Sequence, residues 1–446
     1  MKNCAAVGTT SILSSLINLK MLGNASAQTI PVSGDYKALI CVFLDGGNDS
    51  FNMLTPYEDI PYNEYNEVRG ELALSHDELL SITDHDGTRY GLHPSMTAMK
   101  SLYDSDELAF IANVGALKQP TVKADLVGSL ANAPLGLFSH SDQQMHWQTS
   151  TPEKRSSQGW GGRMADLLSS QNTRGNVAMN IALGGVNIYQ NGQSSSPYTV
   201  TPNSLPTLTG YETDDVFRNA VDSLLEHDYQ NLLRQSYADS TRRAIDTGML
   251  YRDAIQSAPT LDTVFPNGTN DVELIAQTIA SRELLGIKRQ TFFLRIQGWD
   301  FHDSLIAGQN TQLTSVTQKL ASLWAAIKEM GLENDVVIYT ASDFGRSLTA
   351  NGNGTDHAWG GNQFVIGGQV KGGRIYGEYP ESLALGSELD MDPGRGRILP
   401  TTSTDEYFAE LASWFGVSNS ELSEVLPNLG RFYTVGSSTP PMGFLL

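Results

Sequence analysis

The sequence is poor in cysteine and in basic residues, and it has no long apolar run outside its N-terminus. Lys and Arg number 29 against 49 Asp and Glu, which gives a formal net charge of −20. A surface this acidic repels nucleic acid phosphates and anionic membrane surfaces, so nucleic-acid binding is excluded as a function. No apolar run beyond the N-terminus approaches the roughly 18 residues of a spanning helix, so we expect no integral membrane span in the mature protein.

The N-terminus has the composition of an export signal. Residues 4–17 read CAAVGTTSILSSLI, and an A-x-A cleavage motif follows at residues 25–27. Together they predict an export signal over residues 1–27 and a periplasmic or extracellular protein. A signal rich in Gly, Ser and Thr is typical of twin-arginine export, but the two arginines are missing, so either the true start lies upstream of Met1 or the route differs. The alternative is a frayed N-terminal helix.

Cysteine supplies no disulfide framework. The chain contains Cys4 and Cys41, and the predicted cleavage removes the first of them. Cys41 lies inside an apolar run, so its expected role is core packing. An exported protein without a disulfide depends for its stability on its core and on any metal that it binds.

Three buried strands are predicted to end in carboxylates and imidazoles. The apolar runs at residues 37–44, 290–297 and 336–340 are each followed by acidic residues, and a histidine returns after a Gly/Asn loop before a further apolar run near residue 364. In open α/β sheets, ligands bind at the carboxyl ends of such strands, and carboxylate and imidazole groups are natural ligands for divalent ions. The candidate metal ligands are Asp45, Asp49, Asp300, His302, Asp343 and His357. Asp45 and Asp49 could instead be turn formers.

The order of elements predicts the fold. Leu313, Val316 and Leu320 recur at helical spacing between the runs at 290–297 and 336–340, which predicts a strand-helix-strand unit with parallel strands. We therefore expect an α/β fold with a mainly parallel central sheet between helices. It should form a single domain over residues 28–446, with a helical insertion at about 213–288 acting as a cover.

A serine at a predicted helix start is the candidate nucleophile. Ser139 and His140 precede a helical stretch, where free amides and the helix dipole favour an anion. The alternative for this serine is a simple N-cap. Arg346 could bind an anionic oxygen, although an ion pair explains it equally well. The candidate catalytic residues are Ser139, His140 and Arg346.

Taken together, these residues predict a site that holds one or two divalent ions and polarises a phosphate-like ester, with a hydroxyl or a water attacking. Zinc is the first choice of metal, and calcium and magnesium are the alternatives. His93 stands apart from this set, because it directly precedes a proline at a predicted helix start, and we expect it to be a structural capping or loop residue.

Seven motifs in order resemble one known family. They are FLDGGNDSFNMLTPY, GLHP, FSHSDQQ, GWGGR, GWDFHD, DFGR and TDHAWGGNQFVIGGQVKGGRIYG. The chain resembles the DUF1501 family of exported bacterial proteins over residues 37–433. That family is similar to the alkaline phosphatase and sulfatase superfamily, which implies an alkaline-phosphatase-like sheet with a metal cluster at its strand ends. The resemblance assigns Asp49, Asp300, His302, Asp343 and His357 to metal motifs, and it places Ser139 near the nucleophile position.

Two departures from the superfamily pattern keep two functions open. Phe344 follows Asp343 where active members carry histidine, and Cys41 lacks the Cys-x-Pro/Ala-x-Arg context of formylglycine sulfatases. The first function is an exported, metal-dependent hydrolase of phosphate-type or related esters, acting on a small-molecule or glycan-linked anionic ester. The alternative is a non-catalytic exported binding or surface-assembly protein on a hydrolase scaffold.

Overall fold

The computed structural model describes residues 36–126, 130–172, 179–202 and 208–445. The predicted export signal and Cys4 lie outside the described residues. Within the described ranges, no helix combines the length and the apolar character that crossing a bilayer requires.

The strands are numbered in chain order. They are β1 (Lys37–Asp45), β2 (Leu54–Pro56), β3 (Leu80–Thr83), β4 (Arg89–Leu92), β5 (Leu108–Gly115), β6 (Asn180–Leu183), β7 (Tyr198–Val200), β8 (Arg289–Gln297), β9 (Val336–Ser342), β10 (Arg346–Ala350), β11 (Thr355–His357), β12 (Gly361–Ile366), β13 (Arg374–Gly377) and β14 (Thr402–Ser403).

The α-helices are numbered in the same way. They are α1 (Ser50–Met53), α2 (Asp59–Arg69), α3 (Thr97–Asp104), α4 (His140–Thr149), α5 (Trp160–Leu168), α6 (Asp215–Leu225), α7 (Leu232–Gln256), α8 (Asn270–Ala280), α9 (Arg282–Leu285), α10 (Leu305–Glu329), α11 (Thr404–Phe415) and α12 (Leu422–Val425). Short 3-10 helices cover Gly70–Leu72, His76–Glu78, Pro94–Met96, Lys123–Leu126, Ser169–Gln171 and Leu429–Arg431.

A central sheet organises the described chain. Its strand order is β13-β5-β12-β9-β1-β8-β6-β7, with β14 also paired to β5. The pairs of β1 with β8 and with β9 are parallel, and β12 runs antiparallel to both β5 and β9. The predicted fold class, a mainly parallel sheet between helices, is confirmed. The strands on either side of α10 are parallel as predicted, but β1 lies between them.

Helices cover both faces of this sheet. Alternate residues of β1 point to opposite faces, as the two-residue period of a strand requires. Ala38, Ile40, Val42 and Leu44 pack in one core with the apolar stripe of α10, whereas Leu39, Cys41 and Phe43 pack in a second core with α11. Cys41 is 3% exposed, which confirms the predicted packing role.

The topology brings the predicted ligands to one edge of the sheet. Because β1, β8 and β9 are parallel and in register, with Leu44 opposite Ser342 and Asp45 opposite Gln297, their carboxyl ends coincide. The hairpin of β10 and β11 leads into the reversed strand β12, and so it lies at the same edge. His357, about 60 residues downstream of the end of β8, can therefore reach the residues that follow β8.

Hydrogen bonds cap two helical segments, and the first of these caps confirms a prediction from the sequence. The His93 ring accepts a hydrogen bond from the Ser95 backbone N–H and caps the Pro94–Met96 turn, as expected for a structural histidine. At the start of α11 the Ser403 side chain and Glu406 form a reciprocal capping box. Gly416 ends this helix.

The predicted helical insertion contains helices of two kinds. α8 is largely buried in the core, but α6 has no buried residue. Apolar side chains of α6 are turned partly to solvent, since Phe217 is 39% and Leu224 63% exposed. The apolar residues of α6 are therefore less buried than those of α8.

Candidate metal centre

Asp300, in the loop after β8, lies at the centre of a group of imidazoles. Its Oδ1 is 3.1 Å from His302 Nε2 and 3.3 Å from His357 Nε2. The two imidazole Nε2 atoms are 2.9 Å from one another. The other carboxylate oxygen, Oδ2, is 3.4 Å from His140 Nε2. We call these four residues the Asp300 cluster.

The spacing within this cluster fits a metal site. Zinc binds nitrogen and oxygen at about 2.0–2.1 Å, so neighbouring ligand atoms in a tetrahedral site lie about 3.3 Å apart. The separations of 2.9, 3.1 and 3.3 Å among Asp300, His302 and His357 are close to that value. His140, Asp300 and His357 likewise offer three atoms that lie within 4.8 Å of one another. The residues present therefore fit a divalent ion.

Groups behind the imidazoles orient the rings. His357 Nδ1 is 2.7 Å from the Phe138 carbonyl oxygen, and His140 Nδ1 is 2.7 Å from Asp343 Oδ2. Each of these acceptors fixes a ring N–H at Nδ1 and leaves the Nε2 lone pair toward the cluster. His302 Nδ1 lies 3.7 Å from Asp356 Oδ1 and 3.3 Å from the Asn351 side-chain nitrogen.

The protonation states of Asp300 and His357 suit metal ligands. Burial raises the pKa of Asp300, but the Arg346 guanidinium and the nearby imidazoles outweigh burial, and the net pKa is lowered. The carboxyl group is therefore ionised at neutral pH, as a metal ligand must be. Burial lowers the pKa of His357, which favours the neutral ring that a metal requires. The hydrogen bond with buried Asp343 raises the pKa of His140.

Arg346 is buried, and it contacts the protein on all sides of its guanidinium. Its Nη1 donates to Asp300 Oδ1 at 2.6 Å and to the Gly46 carbonyl oxygen at 3.4 Å. Its Nε and Nη2 donate to the side chain and the carbonyl oxygen of Thr355. Arg346 therefore holds Asp300 in place and links it to the hairpin that carries His357.

The remaining predicted carboxylates lie outside the cluster. Asp343 is fully buried behind His140 and accepts a hydrogen bond from the Gly46 backbone N–H at 3.0 Å. Asp45 pairs with Arg295 at 2.7 Å. Asp49 pairs with Arg69 at 2.7 Å, and both side chains are at most 1% exposed. Asp49 is connected to the cluster through Thr355, whose hydroxyl donates to Asp49 Oδ2 at 3.4 Å.

The Asp49–Arg69 pair predicts a large effect on stability. We expect Arg69→Met to lower the free energy of unfolding by about 3–5 kcal/mol, because Asp49 would remain as a buried, unpaired charge. Arg89→Met is the matched control, since the Arg89–Glu58 pair is 48% and 43% exposed and such pairs contribute about 0–1 kcal/mol. Urea unfolding measures both values. Equal losses of unfolding free energy in the two variants would contradict the assignment of Asp49–Arg69 as a stabilising buried ion pair.

Ser139 occupies the N-cap position of α4 without capping it. Its side chain makes no capping hydrogen bond, and its Oγ lies 3.2 Å from Ser141 Oγ. The preceding residue, Phe138, has a positive φ of 74°, an uncommon conformation for a bulky side chain. This conformation accompanies the contact of the Phe138 carbonyl oxygen with His357.

Phe344 forms an apolar wall of the cluster. Its ring is 2% exposed and lies with its centroid 5.0 Å from that of His140 and 4.7 Å from that of His357. Gly47 accommodates this wall, since its φ is +88° and a Cβ there would lie 2.4 Å from the Phe344 ring. An apolar ring stands where the resemblance leads one to expect a histidine.

Two residues of the site were not predicted from the sequence. Gln144 donates hydrogen bonds to Asp45 and Asp343, and Phe138 contributes the carbonyl oxygen that orients His357. A signal existed for Gln144, because it follows His140 by four residues and so lies on the same face of α4. A backbone carbonyl contact leaves no comparable signal in the sequence.

The solved structures that match this chain share little sequence with it. The soluble domain of lipooligosaccharide phosphoethanolamine transferase A from Neisseria meningitidis is 12% identical, with a TM-score of 0.36, over 90% of this chain and 95% of that one. The lipoteichoic acid synthase LtaP from Listeria monocytogenes is 8% identical, with a TM-score of 0.35, over 90% and 78%. PsFucS1 sulfatase from Pseudoalteromonas sp. is 12% identical, with a TM-score of 0.35, over 97% and 75%.

These TM-scores are low, so the fold assignment rests on the central sheet described above and not on these matches. No curated protein sequence matches the chain significantly. One family model does match, under the description "Protein of unknown function (DUF1501)", and it spans residues 36–392, most of the chain. The chain therefore belongs to the DUF1501 family.

Proposed function

We propose that this protein is a metal-dependent hydrolase of phosphate-type or related anionic esters. The observation that carries the proposal is the Asp300 cluster, in which one carboxylate and three imidazole Nε2 atoms converge at separations of 2.9–3.4 Å. Carboxylate and imidazole donors suit zinc, which is the first choice of metal. The substrate class that follows is a small-molecule or glycan-linked ester with an anionic group.

The tightest three donors are the proposed ligands. Asp300, His302 and His357 would hold the ion, and three protein ligands are the number that leaves a position open for catalysis. When bound, such an ion supplies Lewis acidity to an ester oxygen and makes water a stronger nucleophile at neutral pH. Arg346 fixes Asp300, and the Phe138 carbonyl oxygen fixes His357.

His140 is the proposed acid/base residue. Its Nδ1 is held by buried Asp343 at 2.7 Å, which orients the ring and presents Nε2 to the cluster. A histidine positioned by a carboxylate can accept a proton at Nε2 and return it to a leaving group. Asp343, which the sequence suggested as a metal ligand, is thereby proposed as a positioning residue.

The attacking oxygen comes either from Ser139 or from water. Ser139 directly precedes His140 at the start of α4, where a helix N-terminus favours an anionic substrate. Its hydroxyl lies beside Ser141, as described above. Ser139→Ala separates the two cases: loss of turnover supports the hydroxyl, and retained turnover supports water.

One observation favours the alternative, a non-catalytic exported binding protein on a hydrolase scaffold. Arg295, Arg69 and Arg346 already neutralise Asp45, Asp49 and Asp300. In such a scaffold the Asp300 cluster would have no catalytic activity. A panel of aryl phosphates, phosphodiesters and sulfates, each assayed with and without a chelator, decides between the two functions. Turnover that disappears with the chelator supports the hydrolase, and no turnover on any ester supports the binding protein.

Export is a separate proposal with its own measurement. The A-x-A motif at residues 25–27 predicts that the exported protein begins at Gln28. N-terminal sequencing of protein recovered outside the cytoplasm should give this residue. A start elsewhere would contradict the cleavage site, and retention of the whole chain in the cytoplasm would contradict export.

A further inference from the structure

The side-chain amide of Gln144 lies between two carboxylates at the sheet edge. Its Nε2 is within hydrogen-bond distance of Asp45 Oδ1 and lies 2.8 Å from Asp343 Oδ2. Both neighbours are carboxylate oxygens, which only accept hydrogen bonds, so the amide group must present its two N–H donors here and not its oxygen. One uncharged group thus bridges Asp45 and Asp343.

The Gln144 amide takes the place of the cation or shared proton that two nearby carboxylates otherwise require. Carboxylates that share a site repel one another, and a cation or a shared proton normally relieves the repulsion. Asp343 is fully buried, with the Gly46 N–H on Oδ1 and the His140 ring on Oδ2. Asp45 has Arg295 on its second oxygen. The Gln144 amide supplies the remaining donors without adding a charge.

The position beside the amide also offers no free ligand among the described residues, since the Nδ1 of His140 is already held by Asp343. Phe344, next to Asp343 in the chain, packs its ring against His140 and contributes only carbon atoms. An ion between Asp45 and Asp343 would have to displace the Gln144 amide, and beside the two carboxylates it would meet only the His140 Nδ1 group, which is already bonded to Asp343. Cations of this kind take four or more ligands, so the pair by itself is incomplete.

We propose that Gln144 limits the centre to one metal ion by occupying the place between Asp45 and Asp343 that a second ion would take. The proposal rests on the proposed function, because it takes the Asp300 cluster as the site of the first ion. It assigns Gln144 a role in metal stoichiometry and leaves Asp45 and Asp343 outside the set of ligands.

The test is the number of ions bound per chain. Native mass spectrometry of the folded protein, titrated with zinc and in parallel with manganese, should give one ion for the parent. Gln144→Glu replaces the amide with a third carboxylate beside Asp45 and Asp343, and oxygen-rich sites suit manganese. We expect this variant to bind two manganese ions. Gln144→Met is the matched control: it removes the donors without adding a ligand, and it should bind one.

The possible outcomes separate this inference from the proposed function. A parent that binds two ions overturns the role of Gln144 but leaves the metal-dependent hydrolase standing. A parent that binds none overturns both. If Gln144→Glu binds one ion while folded, as judged by circular dichroism, the place between the carboxylates is not a latent ion site and the inference fails. If that variant does not fold, the parent count decides: one ion supports the inference and two overturn it.

Discussion

Asp300→Ala is expected to lose the metal ion and all metal-dependent turnover. Both oxygens of this carboxylate face imidazole Nε2 atoms, at distances of 3.1–3.4 Å, so its removal takes away the central ligand. Loss of a residue that only supports a ligand already costs about 10–100-fold in metal affinity. We therefore expect a loss of more than about 100-fold here, measured by calorimetric titration with zinc and by elemental analysis.

Two further variants make this result interpretable. Asp303→Ala, in the same loop, removes an exposed carboxylate that bonds the neighbouring Ser304 N–H, and it should keep both metal and activity. Asp300→Asn keeps an acceptor for the buried Arg346, so it should fold even if the alanine variant is destabilised, and it should still bind zinc weakly. Full zinc affinity in folded Asp300→Asn and Asp300→Ala would show that the ion binds elsewhere.

His140→Ala is expected to separate catalysis from metal binding. A positioned acid/base histidine contributes about 10²–10⁴-fold to rate, so kcat should fall by that factor. Zinc affinity should change little, because Asp300, His302 and His357 remain. The measurements are steady-state kinetics on the best ester of the panel and zinc titration of the same preparation.

Two outcomes would contradict this role for His140. A loss of zinc affinity equal to that of Asp300→Ala would show that the His140 ring is a ligand. An unchanged kcat would show that the ring takes no part in catalysis. His302→Ala is the comparison variant, since its Nε2 contacts the same carboxylate oxygen as His357 and it should lose zinc. Asp343→Asn should lower kcat in the same direction as His140→Ala, because it weakens the contact that orients the ring.

The sequence was sufficient to predict the sheet and the edge at which the site forms. Apolar runs on both sides of α10 predicted parallel strands, and parallel strands bring their carboxyl ends together, so Asp300 and the residues after β9 had to share one edge. The position of His357 at this edge could be predicted in the same way, because the reversed strand β12 must begin where β9 ends. These features depend on backbone direction, which hydrophobic patterning determines.

The choice of partner for each carboxylate could not be predicted in this way. Asp49 follows a strand end as Asp343 does, yet it pairs with Arg69 from α2, whereas Asp343 meets His140 from α4. Both contacts join residues from separate elements, and their geometry depends on how each helix packs on the sheet. The bridging position of Gln144 depends on the same packing. Sequence spacing therefore predicted the set of candidates but not their division into ligands, positioning groups and structural ion pairs.

The most direct test of the central claim is an anomalous difference map at the zinc edge, from crystals of the mature protein grown with zinc. The Asp300 cluster predicts one strong peak within about 2.0–2.2 Å of Asp300, His302 and His357 ligand atoms. The place between Asp45 and Asp343 should show no peak, because Gln144 occupies it. A map without a peak among those three residues, in protein that binds zinc in solution, would contradict the account.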